Sequence, residues 1–344
     1  MTGRSKESFS LWQYIILVLL TFVTTILCVA AGSVSIPIKD VLIAIGDSVC
    51  GLPLPENITA PIIISVRLPR VLSAALVGAA LSLCGGAMQG LLRNPLADGS
   101  TLGVSAGASV GAVASIAFGI AIPGAAFGST MIMAIAFAFA SMMLILGLAY
   151  KLDYSLSTNT IILIGVIFAM FANSITSLMV TFAGSKAKSI LFWTMGSLVG
   201  NNYAKVLLLL AALLICGIVI LRYCRELNAF AIGEENARHI GVDVKRIKLI
   251  LLIAVSVLIG VCVSVSGTIG FVGLVIPHIM RLIFGPNHKK LLPATIFGGA
   301  IFLMLADLVS RTILDPMELP IGVVTSFIGS IVFVCIFYRN RKAK

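Results

Sequence analysis

No charged side chain occurs between Asp98 and Lys151, a stretch long enough to cross a bilayer twice as helix. Roughly 20 apolar residues cover about 30 Å of hydrocarbon, and helices satisfy their own backbone polar groups there. Pro123-Gly124 divides the stretch, because that pair ends helices. The pattern recurs: residues 8–38 and 71–92 are also free of charge, and residues 249–280 contain no acidic residue, lysine or arginine. Charged residues make up 11% of the 344, hydrophobic residues 59%, and the mean hydropathy is +1.13. A soluble domain carries about 25% charged residues, so an all-α integral membrane protein follows.

Ten spans are expected within one polytopic domain covering residues 1–344. The first lies near 12–32, since its apolar run exceeds the roughly 7 to 15 residues of a secretory signal. Residues 39–60 read as a loop, and span two follows near 68–91. Spans three to six fall near 101–121, 129–150, 158–183 and 206–221, with a loop at 184–205 that carries Trp193 and Tyr203. Residues 222–248 form a polar segment; its core, 233–246, reads as a short amphipathic helix, a stop at Gly241 and a second short element. Span seven starts at 249, and a short eighth near 271–284 follows a stretch broken by Gly267, Gly270 and Gly273 and itself carries Pro277. Span nine, near 291–312, contains Asp307, and span ten lies near 320–338.

Ten spans place both termini on one side. Most of the 24 lysines and arginines then fall on that side, leaving Lys39, Arg67, Arg70, Lys186, Lys188, Lys205 and Arg311 on the other or at its border. The positive-inside rule makes the terminal side cytoplasmic. The net charge of +11 thus reports orientation, not nucleic-acid binding.

Residues 67–111 read RLPRVLSAALVGAALSLCGGAMQGLLRNPLADGSTLGVSAGASVG. Gly99, Gly103, Gly107 and Gly111 recur every fourth residue, which would set them on one helix face where small residues admit a second backbone. Residues 78–97 echo residues 260–279, pairing Gly78 with Gly260, Ser82 with Ser264 and Gly85 with Gly267, as an inverted repeat would.

Seven cysteines without paired spacing and three scattered histidines suggest neither a disulfide framework nor a metal site. No phosphate-binding G-x-x-x-x-G-K-[ST] loop, H-E-x-x-H pair or nucleophile elbow occurs. Asp307 is nearly the sole ionisable residue deep in a span, whereas ion-driven carriers need charged relays there. Energy should therefore enter from outside the chain, through residues 222–248. On the residues alone, that segment is equally a docking element or a solvated basic loop.

The motifs R-x-P-R, G-A-A-L-S-L-C-G-G-A-M-Q-G, R-N-P-L-A, L-G-V-S-A-G-A, S-G-T-I-G-F-V-G-L-V-I-P-H-I-M-R and E-L-P-I-G-V-V-T, in this order, resemble the FecCD family. These are permeases of type II ABC importers for iron-siderophores, haem and cobalamin. The resemblance implies a ten-helix permease fold in the bacterial cell membrane, without catalysis of its own and without a bound cofactor or metal. It implies pairing with a second permease, two ATPases that hold ATP and Mg, and an extracytoplasmic binding protein; an iron-siderophore is the expected cargo. By matching position, Gly233, Glu234, Ala237 and Gly241 would couple to the ATPase, and Arg67, Arg70 and Arg311 would receive acidic residues of the binding protein. Asn94, Leu96, Thr158 and Asn159 would form the cytoplasmic gate. Met88, Gln89, Gly99, Gly103 and Gly107 are expected along the pathway or in its packing.

Overall fold

The computed structural model describes residues 9–32, 36–53, 59–124 and 128–342. Among them every regular element is helical: α1 (Leu11–Ala30), α2 (Ile38–Cys50), α3 (Thr59–Ile62), α4 (Leu68–Leu91), α5 (Val104–Phe118), α6 (Ser129–Leu152), α7 (Thr158–Phe182) and α8 (Ala187–Thr194), then α9 (Tyr203–Arg222), α10 (Cys224–Ala231), α11 (Glu234–His239), α12 (Val244–Ser266), α13 (Val272–Phe284), α14 (His288–Ser310) and α15 (Ile321–Lys342). A π-turn, Ile63–Arg67, joins α3 to α4. Seven of these stretches are long and apolar enough to cross a membrane, and three apolar helices, α5, α13 and residues 321–336 of α15, are shorter. At 15 and 13 residues, α5 and α13 reach only about 20 Å. Seven of the ten expected spans thus fall on stretches long and apolar enough to cross, and the other three on α5, α13 and α15.

The fold is built around α4 and α12, whose apolar windows are each 78% buried, against 22% for α1, α7 and α9. Glycine sets how closely α4 is approached. A methyl group at Gly85 would overlap the Gly273 carbonyl of α13, and one at Gly78 would overlap the Gly299 carbonyl of α14. In the second contact Ser82 Oγ donates to Thr295 O at 2.6 Å. Lipid provides no hydrophobic drive between helices, so this close packing holds them.

Pro277, inside α13, has no N–H to give the Gly273 carbonyl one turn earlier. Gln89 of α4 replaces that donor: its Nε2 donates to Leu274 O at 3.1 Å and lies 3.4 Å from Gly273 O, while its Oε1 accepts from Arg281 at 2.9 Å. Gln89→Leu is expected to orphan these groups and cost about 1–3 kcal/mol. A thermal midpoint in detergent unchanged from wild type would remove this role.

Residues 39–60, read as loop, contain α2. Val41 and Ala44 share its buried face, and Gly51 closes it in the left-handed region (φ 68°). Residues 184–205 likewise contain α8, eight residues too short to show in a hydropathy run. The glycine ladder is only half a ladder. Gly107 and Gly111 face α6, but Gly99 lies in a 3₁₀ turn and Gly103 caps α5 with φ 74°, meeting α7. The second element expected after Gly241 is the start of α12 itself.

The internal echo is structural up to Gly85 and Gly267 and then diverges, because α4 continues to Leu91 while α12 ends at Ser266. Packing partners still correspond. Exchanging α4, α5, α6 and α7 for α12, α13, α14 and α15 maps the α5–α6 pair onto α13–α14 and the α4–α14 pair onto α12–α6.

Candidate functional site

Polar residues gather at the two ends of the α4–α12 core. Arg70 begins α4, and Gly90 near its other end abuts His288, whose Nδ1 lies 2.8 Å from Asn228 of α10. At roughly 1.5 Å rise per residue these ends are about 30 Å apart, the thickness of the hydrocarbon layer. α12 runs the opposite way, with Lys248 at the α10–α11 end and Ser266 bonded to Ser197 beyond the far end of α8.

The first cluster sets Arg70 and Arg311 on Asp307, with the Arg67 and Arg311 guanidinium groups side by side at Gly32. Arg67 ends the π-turn, and its Nη1 donates to Val29 O and Ala30 O at 2.9 and 3.0 Å, capping α1. Arg311 reaches Cys28 O and sits 3.3 Å from Asp307 Oδ2. Arg70 Nε donates to Asp307 Oδ1 at 2.9 Å, and its Nη1 lies 3.0 Å from both oxygens of Glu318. Asp307 is 1% exposed and lies near the end of α14, so it serves as the hub of this cluster and not as a midplane relay. Arg67 and Arg311 are buried, while Glu318 is 39% exposed. Charge reversal at Arg67 would set a carboxylate against carbonyls, so it tests folding as much as docking. Glu318 is the first residue of the E-L-P-I-G-V-V-T motif.

The second cluster joins residues 222–248 to α7. Gly233 (φ 114°) opens α11 and Gly241 (φ 87°) turns the chain into α12, while Ala237 packs its short side chain into the core. Glu234 Oε1 accepts from Thr158 Oγ1 at 3.0 Å and from Lys248 Nζ at 2.7 Å. Lys248, fully buried, also donates to Leu156 O at 2.9 Å. One carboxylate oxygen of α11 thus meets both the start of α7, at Thr158, and α12, at Lys248. Lys248 was missed because it stands at the edge of a basic segment. Its signal was its helical step with Val244, Leu251 and Val255, which buries it.

Thr158 and Asn159 open α7 behind the cap of Ser157 and Asp153. Hydrogen bonds from Ser155 and Ser157 hold the Asp153 carboxyl well below the usual carboxylate range. The cap is therefore present above the ordinary carboxylate value and is lost only as pH falls through this lower one. Asn94 closes its own turn, accepting from Leu96 N at 2.9 Å, and Leu96 is exposed. Asn94 and Leu96 thus lie in the turn after α4, and Thr158 and Asn159 at the start of α7.

Leu96 and Gly99 border a cavity of about 810 Å³, with Thr268, Phe271 and Ser326 opposite. Non-helical backbone at 92–98 and 267–271 meets there, as irregular chain at membrane depth requires. Met88 and Gln89 are buried in helix packing and do not line this cavity.

Residues 19–339 match the FecCD transport family. The chain belongs to that family. A solved inward-facing metal-chelate type ABC transporter superposes with a TM-score of 0.83 at 31% identity, covering 94% of this chain and 98% of that one. The fold is therefore that of a type II ABC importer permease. FecCD relatives include the ABC transporter permease YvrB of Bacillus subtilis (strain 168), 44% identical over 93% of this chain and 91% of its own. The cobalamin import permease BtuC of Halobacterium salinarum is 38% identical over 85% and 76%. The molybdate import permease MolB of Haemophilus influenzae is 32% identical over 95% of each.

Proposed function

We propose that this FecCD chain is the non-catalytic membrane subunit of an ATP-driven importer for a metal chelate. The observation that carries the reading is the pair of polar clusters at opposite ends of one helical core, the second tying α11 to α7 through Glu234. In this reading 1–344 is one permease domain and 222–248 its coupling segment. Two soluble ATPases bind ATP and Mg and engage α11, which Gly233 and Gly241 frame, Ala237 seats on the core and Glu234 ties to α7. A second permease completes the pathway, and a binding protein docks at Arg67, Arg70 and Arg311. Asn94, Leu96, Thr158 and Asn159 act as the gate on the cytoplasmic side, where both termini lie in a bacterial cell membrane.

For the cargo, the cobalamin relative supports a corrinoid, and the iron-siderophore expectation rests on the family resemblance. The molybdate relative warns that family membership does not fix cargo. A cavity bordered by apolar and hydroxyl side chains and by Asp98 suits a bulky chelate better than a small oxyanion, which needs concentrated positive charge or N–H donors.

The test is uptake into vesicles holding this permease with its ATPase and binding protein, offered cobalamin, a ferric siderophore or molybdate. ATP-dependent uptake of one cargo, reduced at least tenfold by Glu234→Arg, is expected. Uptake driven by an ion gradient without ATP overturns the class, and ATP-dependent uptake indifferent to Glu234→Arg removes the coupling assignment.

A further inference from the structure

The two carboxylates on Arg70 differ in kind. Asp307 is buried and holds Nε, so it cannot leave without stranding charge in a dry site. Glu318 is 39% exposed, follows α14 in the link to α15, and meets Nη1 with both oxygens at 3.0 Å. Two oxygens on one nitrogen do not form the side-on fork of the strongest arginine–carboxylate pairs. With Glu318 reaching water, this pair holds less firmly than the buried one to Asp307. Beside it opens a recess of about 160 Å³ lined by Arg70, Glu318, Phe192, Ser197 and Ser310. The recess has room for an acidic side chain and is bordered by Arg70, which Asp307 holds in place.

We infer that Glu318 is a removable internal counter-ion of Arg70, standing where the carboxylate of a docking protein enters. The inference rests on the proposed docking role of Arg70 and adds its mechanism: docking is a carboxylate exchange. The incoming group takes the guanidinium, Glu318 swings to water, and Asp307 keeps Arg70 oriented throughout. An exchange conserves the number of ion pairs, so it selects a partner with a well-placed acid while giving only modest affinity, as a partner that must dock and leave requires.

The test measures binding of the cognate binding protein to the assembled permease–ATPase complex in nanodiscs by interferometry. Glu318→Gln is expected to tighten docking about two- to five-fold at low ionic strength, since the competing pair is gone. The salt dependence should steepen as well, because the new pair is no longer offset by a lost one. In an Arg70→Gln background the same replacement should change nothing. Docking unchanged or weakened by Glu318→Gln, while Arg70→Gln still weakens it, overturns the exchange and leaves the docking role in place. If neither replacement alters docking, the docking role falls and the exchange with it. Should Arg70→Gln yield no folded protein, the affinity and salt slope of Glu318→Gln decide alone.

Discussion

Gly85→Ala is expected to deprive the protein of its folded state or to cost it about 3 kcal/mol or more, although only one methyl group is added. The new Cβ would overlap the carbonyl of Gly273, and backbone cannot rotate away as a side chain would. Relief requires α4 and α13 to separate, which also pulls Gln89 from the Gly273 carbonyl that Pro277 leaves without a donor and from Leu274 O. Gly147→Ala is the control: Gly147 lies on the exposed face of α6 with nothing near its missing side chain, and alanine there favours the helix. Thermal denaturation of detergent-purified protein should show a large fall for the first and little change or a small rise for the second. Equal midpoints for the two variants would mean that the close approach at Gly85 does not hold the helices.

Lys248→Met carries the other large effect, on transport. It removes the ammonium that binds Glu234 of α11 and the Leu156 carbonyl just before α7. Breaking a buried ion pair costs about 3–5 kcal/mol when the remaining charge is stranded. Glu234 is 22% exposed and can turn to water, so the loss of fold should be smaller than that. What goes is the rigid link: α11 can then move without carrying the start of α7. Transport per ATP hydrolysed by the assembled complex should fall at least tenfold while hydrolysis persists. Glu234→Gln, which can still accept from Thr158 and Lys248, should fall much less. A Lys248→Met complex that transports with the wild-type ratio would dismiss the link.

Much of the fold was legible in the sequence because lipid imposes a strong rule. The expected bounds of span two coincide with α4, and those of spans four and five differ from α6 and α7 by at most two residues, since apolar runs bounded by polar turns must be helices there. Short helices escaped that rule. α2 and α8 lack the length, and the glycine period at 99–111 did not show that Gly103 lies outside the helix in the left-handed region. Arg67, Arg70 and Arg311 were marked out by residue type and position. That Arg70 and Arg311 share Asp307, or that Arg67 and Arg311 are buried, could not be read, because Arg70 and Asp307 are separated by most of the chain.

Residue chemistry along the chain therefore determined what each segment is: apolar and helical, or polar and terminal to a helix. Which polar residues share a counter-ion was decided by helix packing alone. α4 closes on α14 where Gly78 and Gly299 let the backbones approach, and Gly241 turns α11 back beside α12; only in that packing do Arg70 find Asp307 and Glu318, and Lys248 find Glu234. Hydropathy acts on each segment independently, whereas a buried charge must be answered by another segment, and no local pattern names its partner.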